Sequence, residues 1–236
     1  MSIQPDAVKR ESDRHLEGTP TMKPMSETDS EIRQPLQRRS QEAYARVLQA
    51  GRKILEEEGI AGFTVQAVSK RAGVSVGSIY LRAPSREALL LAIHAQEMDR
   101  MDREEVWLAP TSVPPGGARA HIEQVVTKTS AQMLANAGIL RAFMRRGPED
   151  PEIFVRGRAG SQRVAEQFEA ALLICRNDFR HPDPETAADF SFRMLYSMTA
   201  RRITHGSDFE STRPLPDEVF LQELSRAVAD YLLGPN

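Results

Sequence analysis

Apolar residues return every three or four positions along most of the chain beyond residue 36, and no run alternates with the period of two that marks a strand. The pattern predicts an all-helical protein. Over residues 37–58, Tyr44, Val47, Leu48, Gly51, Ile54 and Leu55 form one stripe, and Gly59 suits the left-handed backbone beyond a helix end. A short second helix holds Val65, Val68 and Ala72, with Thr64 placed to accept an orphan amide at its start and Gly73 closing it. Ser75 stands in the same relation to a third helix over 76–81. Pro84-Ser85 opens a fourth, with Ala88, Leu89, Ile93 and Met98 facing inward. Past the turn-rich stretch 110–117, Ala118, Ile122, Val125, Val126, Thr129 and Met133 predict a helix ended by Gly138, and a short segment follows over 139–146. Longer helices are expected over 151–176, 184–204 and 216–233, the last with Val219, Phe220, Leu224, Val228 and Tyr231 or Leu232 on its inner side.

Charge changes this picture only when the chain is divided. The 236 residues carry 31 Lys and Arg against 33 Asp and Glu, which excludes a uniformly basic coat. Residues 1–36 hold five basic and seven acidic side chains, several prolines and few large apolar groups, too little to offset the entropy of ordering, so a disordered tail is expected there. Residues 37–100 carry ten basic groups against seven acids, and residues 101–236 carry 16 against 19. The net positive charge thus falls on the four short helices and the net negative charge on the remainder.

The stretch from Thr64 to Arg82, TVQAVSKRAGVSVGSIYLR, has the form of a helix-turn-helix: two short helices around Ala72-Gly73-Val74-Ser75, where Gly73 can take a positive φ and Val74 can tuck beneath both. The second helix would be the reader, small and polar enough for close approach to a major groove, with Ile79 turned to the core and the Tyr80 hydroxyl available to a phosphate. Residues 38–98 resemble the DNA-binding domain of TetR-family transcriptional regulators. The matching pieces are Gly59-Ile60-Ala61-Gly62-Phe63-Thr64-Val65, Ala72-Gly73-Val74-Ser75, Tyr80 and Ser85-Arg86-Glu87-Ala88-Leu89. The resemblance implies phosphate contacts at Thr64, Tyr80 and Arg86, and groove contacts at Ser75, Val76, Gly77, Ser78, Leu81 and Arg82. Arg86 replaces the family's usual Lys, and Ala83 and Leu81 stand where aromatics are frequent. Arg38 and Arg39 are placed to neutralise phosphates or simply to begin a solvated helix.

The resemblance further implies an N-terminal three-helix helix-turn-helix domain (37–100) joined by its fourth helix to a C-terminal helical domain (101–236) for effector binding and dimerisation, with the last two helices pairing in a homodimer. It implies double-stranded operator DNA as partner and repression as the usual outcome; with no catalytic constellation in the sequence, no enzymatic activity is expected. Two readers about 34–36 Å apart suit a palindrome. Phe143, Met144, Phe154, Phe168, Phe192, Tyr196 and Met198 are candidates to line a largely apolar effector site, or to be ordinary core. Arg141, Arg145 and Arg146 could hold an anion or form a wet helix face. Five scattered histidines lack metal-ligand spacing, no cofactor fingerprint or catalytic constellation is present, and the lone Cys175 is read as packing. With no signal-peptide core and no long apolar run, a cytoplasmic protein that does not enter a membrane is expected. The alternative is a helical small-molecule-binding or catalytic bundle with a vestigial DNA-binding module.

Overall fold

The computed structural model describes residues 27–104 and 115–234, with side chains from 38 to 103 and from 115 onward. Nine α-helices and no strands occur among the described residues. They are α1 (Glu27–Gly62), α2 (Val65–Ala72), α3 (Val76–Tyr80), α4 (Arg86–Glu104), α5 (Gly117–Ala135), α6 (Ala137–Arg146), α7 (Pro151–Leu173), α8 (Pro184–His205) and α9 (Asp217–Leu233). No described helix is long and apolar enough to cross a membrane. The chain divides into two compact units at Ser40–Gln41, and the packing and sites described below belong to the second. The tail expected over 1–36 lies outside the described residues up to 26, while α1 begins at Glu27, ten residues earlier than the apolar stripe indicates. Adding turns to an existing helix costs far less than starting one, so a helix can run past its apolar face.

Local chemistry sets the short helices. Gly59 takes φ 67°, breaking α1 where the sequence predicts and leaving a last turn to Gly62. Thr64 has extended backbone and its hydroxyl oxygen accepts from the Ala67 amide at 3.1 Å. Gly73 closes α2 at φ 63°, ψ 37°, a conformation that penalises any residue with a Cβ. Ser75 caps α3 by accepting from the Ser78 amide at 3.2 Å, and the Ser69 hydroxyl donates to the Val74 carbonyl across the turn. Ser85 caps α4 through the Ala88 amide at 3.0 Å.

Two predictions fail in a revealing way. Gly138 does not end α5; that helix stops at Ala135, and Gly138 lies inside α6, where an added Cβ would meet the Glu56 backbone at 3.2 Å. The glycine serves close approach of α6 to α1 rather than termination. Val219 is exposed, while Phe220, Leu224, Val228 and Leu232 form the buried stripe of α9.

Two apolar clusters fill the protein. One joins Val47, Ile54, Phe63, Val68, Ile79, Leu89 and Ile93 to Ile139, Phe143 and Ile153 of α6 and α7. The other gathers Ile122, Val126, Phe168, Leu172, Phe192, Leu195, Leu224 and Val228 from α5, α7, α8 and α9. The core beneath the short helices therefore extends into α6 and α7 instead of stopping near residue 100.

Candidate DNA-reading face and effector cavity

Thr64, Ser75, Gly77, Ser78, Tyr80, Leu81 and Arg82 are all exposed, and buried Ile79 and Ala83 fix the opposite side of the turn to the core. Leu81 stands out furthest, at 86% exposure. Val76 is half-buried and packs on the core as well as reaching the surface. The Ser75 and Ser78 hydroxyls bond to each other at 2.8 Å, so the start of α3 is closed by its own side chains. Gly77 has nothing within 4 Å of a Cβ position, which leaves open space over the middle of α3. The Arg82 guanidinium lies 5.1 Å from the centre of the Tyr44 ring, tying the turn after α3 to α1. Burial raises the Tyr44 phenol above its ordinary value, with Arg82 opposing.

Arg86 has a structural task that its charge alone does not reveal. Its Nε donates to the Phe63 carbonyl at 2.7 Å and its Nη2 to the Ile60 carbonyl at 3.0 Å, and the group lies over the Phe63 ring. The fork of donors joins the start of α4 to the end of α1, a reach that a single ammonium cannot reproduce in the same geometry.

A cavity of about 440 Å³ opens between α4, α5, α6, α7 and α8. Phe143, Met144, Phe154 and Tyr196, all singled out from sequence, line it. Phe168 and Phe192 do not: they pack in the second cluster with ring centroids 5.6 Å apart, and Met198 is exposed on α8. Helical stripes identify side chains that turn inward without distinguishing filled core from the edge of a void. The wall also includes His94, Met98, Met101, Thr129 and Met133, which the sequence reading missed. A signal was present in Gly157 and Gly160, three residues apart inside a long helix, where glycine weakens helix formation unless the missing side chain is useful.

His94 is the cavity's distinctive polar group. It is buried, it meets the Phe143 ring edge-on at 4.5 Å, and its Nδ1 has no hydrogen-bond partner. Burial, helped by the Arg156 charge, pushes its protonation down to about 4 against the opposing pull of Asp150 and Glu152. The predicted arginine cluster is otherwise engaged. Arg141 donates to the Ile203 carbonyl at 2.6 Å and Arg145 to the Thr204 carbonyl at 2.8 Å, both at the carbonyl-rich end of α8, and Arg146 pairs with Glu149. Cys175 is buried and burial raises its thiol, as expected of a packing residue. No His, Cys, Asp and Glu cluster among the described residues could hold a metal.

A charged network crosses the junction of these regions. Buried Glu97 of α4 accepts from Arg100 at 2.9 Å and pairs with Arg52 of α1 at 3.2 Å, and Arg100 also donates to Asn136 between α5 and α6.

Residues 47–93 match the family model for bacterial regulatory proteins of the tetR family. Those residues carry the DNA-binding module of TetR-family transcriptional regulators. The match covers α2, α3 and the turn between them, together with the parts of α1 and α4 that pack against them. Among solved structures, a TetR regulator from Haloarcula marismortui ATCC 43049 superposes with a TM-score of 0.64 at 16% identity, over 82% of this chain and 99% of that one. A regulator from Saccharomonospora viridis, solved in complex with choline, gives 0.61 at 14% identity over 81% and 95%. Salmonella enterica GusR gives 0.57 at 19% identity over 80% and 95%. At these identities the likeness speaks for the fold. No curated protein matches the sequence. The TetR family is a non-enzymatic one.

Proposed function

We propose that this TetR-family protein is a repressor that binds a palindromic operator as a homodimer and is released by a small, largely apolar effector. The DNA-binding residues would be Thr64, Tyr80 and Arg86 at phosphates, with Ser75, Val76, Gly77, Ser78, Leu81 and Arg82 in the major groove. Arg86 already spends Nε and Nη2 on carbonyls, so its phosphate contact would use Nη1, in competition with the Glu87 carboxylate 3.6 Å away. The homodimer would form on α8 and α9, where Phe190, Met198 and Val219 leave apolar surface exposed. The domains would divide as 37–100 and 101–236, with the protein acting in the cytoplasm.

The observation that carries this reading is shared packing. Phe143 and Ile153 line the cavity and also belong to the cluster that holds α1 to α4 together. An occupant that shifts either side chain disturbs the frame of the reader. Thermodynamic linkage then requires the effector to bind the DNA-free conformation more tightly, and operator DNA to weaken effector binding by the same factor. The choline bound by the S. viridis regulator supports a small molecule as occupant of this fold, without fixing its chemistry here.

Selection from random duplexes tests the reading. The wild-type chain should enrich a palindrome, Arg82→Ala should weaken its binding about tenfold or more, and Tyr80→Phe should weaken it several-fold by removing one phosphate bond. Enrichment of no palindrome over random DNA would sink the regulator reading.

A further inference from the structure

Inside the cavity, chemistry is strongly uneven. Met98, Met101, Met133, Met144 and Ile153 make an adaptable apolar wall. Among them stands His94, buried, with Nδ1 lacking any partner. A buried polar nitrogen left unpaired is costly, and such groups ordinarily find a protein or ligand partner. Thr129, also on the wall, donates its hydroxyl proton to the Val125 carbonyl at 2.8 Å, so its oxygen can only accept further bonds. The charged lining groups are less enclosed: Arg158 is exposed, and half-buried Asp102 is already paired with Arg163 at 2.6 Å.

We propose, resting on the effector reading above, that the cavity selects an uncharged, largely apolar molecule bearing a hydroxyl, and that this hydroxyl seats against His94. A neutral imidazole offers one donor and one acceptor nitrogen, and a hydroxyl is both acceptor and donor, so the two complement each other in either tautomer. Protonation of His94 is pushed down to about 4, which keeps the ring neutral near pH 7. A carboxylate seated at His94 would lose its hydration against an apolar wall whose lining cation, Arg158, is exposed, and a plain hydrocarbon would leave the imidazole unpaired. The cavity volume lies within the range that holds small organic ligands.

The full-length chain is loaded with the neutral fluorophore N-phenyl-1-naphthylamine, and displacement is measured with biphenyl, 4-phenylphenol and biphenyl-4-carboxylate. These probes share one skeleton. 4-Phenylphenol should displace the fluorophore at about one-tenth the concentration that biphenyl needs, and the carboxylate should be the weakest of the three. In His94→Phe, which keeps a flat ring beside Phe143, the phenol-to-biphenyl ratio should fall below about twofold. Should that variant not fold by circular dichroism, imidazole ¹⁵N shifts of the wild type decide: the His94 signals should move with 4-phenylphenol and stay with biphenyl. Equal displacement by phenol and hydrocarbon, tightest binding of the carboxylate, an unchanged ratio in the variant, unmoved His94 signals, or no binding of any probe would each overturn the proposal. Binding is read without DNA, so these results stand apart from success or failure in selecting a palindrome.

Discussion

Thr64, Ser69 and Ser75 each find their hydrogen-bond partner within five residues of chain, whereas the cavity wall gathers His94, Thr129, Phe143, Gly160 and Tyr196 from five different helices. In the helix-turn-helix, caps and a left-handed glycine fix the backbone and present side chains outward. Around the cavity, what matters is a space that no neighbour fills. The first arrangement is specified locally and tolerates little change in residue type. The second is specified by sums of volume and tolerates substitution until the void closes.

The same truncation in both regions should expose this difference most sharply. Phe63 is fully buried under the helix-turn-helix, and Phe63→Ala should cost about 3–5 kcal/mol in urea denaturation. Phe154 lines the cavity but is 56% exposed, and Phe154→Ala should change stability by only about 0.5 kcal/mol or less while altering probe binding. Comparable losses at the two sites would break the contrast.

Acid should act next, and in the cavity it acts through His94. The folded-state value of about 4 for His94 lies below the ordinary imidazole value, so between the two the unfolded chain binds more protons and stability falls as pH is lowered from about 6.5 to 4. The loss assigned to this residue should approach about 3 kcal/mol, with Arg156, Asp150 and Glu152 as the charges that modulate it. Denaturation curves of wild type and His94→Phe across that window isolate it. Parallel pH dependences would show that the imidazole is not held neutral.

The smallest effect is also the most diagnostic. Gly77 and Gly157 both lie in helices with nothing within 4 Å of an added Cβ. Alanine at either should stabilise the protein by about 0.5–1 kcal/mol. Gly77→Ala should nevertheless weaken operator binding by filling the surface proposed to approach the bases, and Gly157→Ala should weaken binding of the biphenyl probes while sparing DNA. A uniform response in both assays would erase the distinction between the regions.

Legibility follows the same division. Gly59, Thr64, Gly73 and Ser75 announced their conformations because each conformation depends on one residue and its nearest chain neighbours. α7 and α8 start at Pro151 and Pro184, as the expected spans have them, and the structure adds the caps, Asp150 and Asp183. Of the residues selected from helical stripes, Phe143, Met144, Phe154 and Tyr196 line the cavity, whereas Phe168 and Phe192, selected by the same logic, are packed core. His94 was passed over because its solitude is a property of surrounding helices. Arg86 looked like a free positive charge, and only the folded chain shows two carbonyls receiving its protons.

At Gly138 an added Cβ would stand 3.2 Å from the Glu56 backbone, so the missing side chain is what lets α6 lie against α1. A methyl group introduced there would act as a wedge between two helices that share one apolar cluster, and the frame beneath the helix-turn-helix would have to give way to admit it.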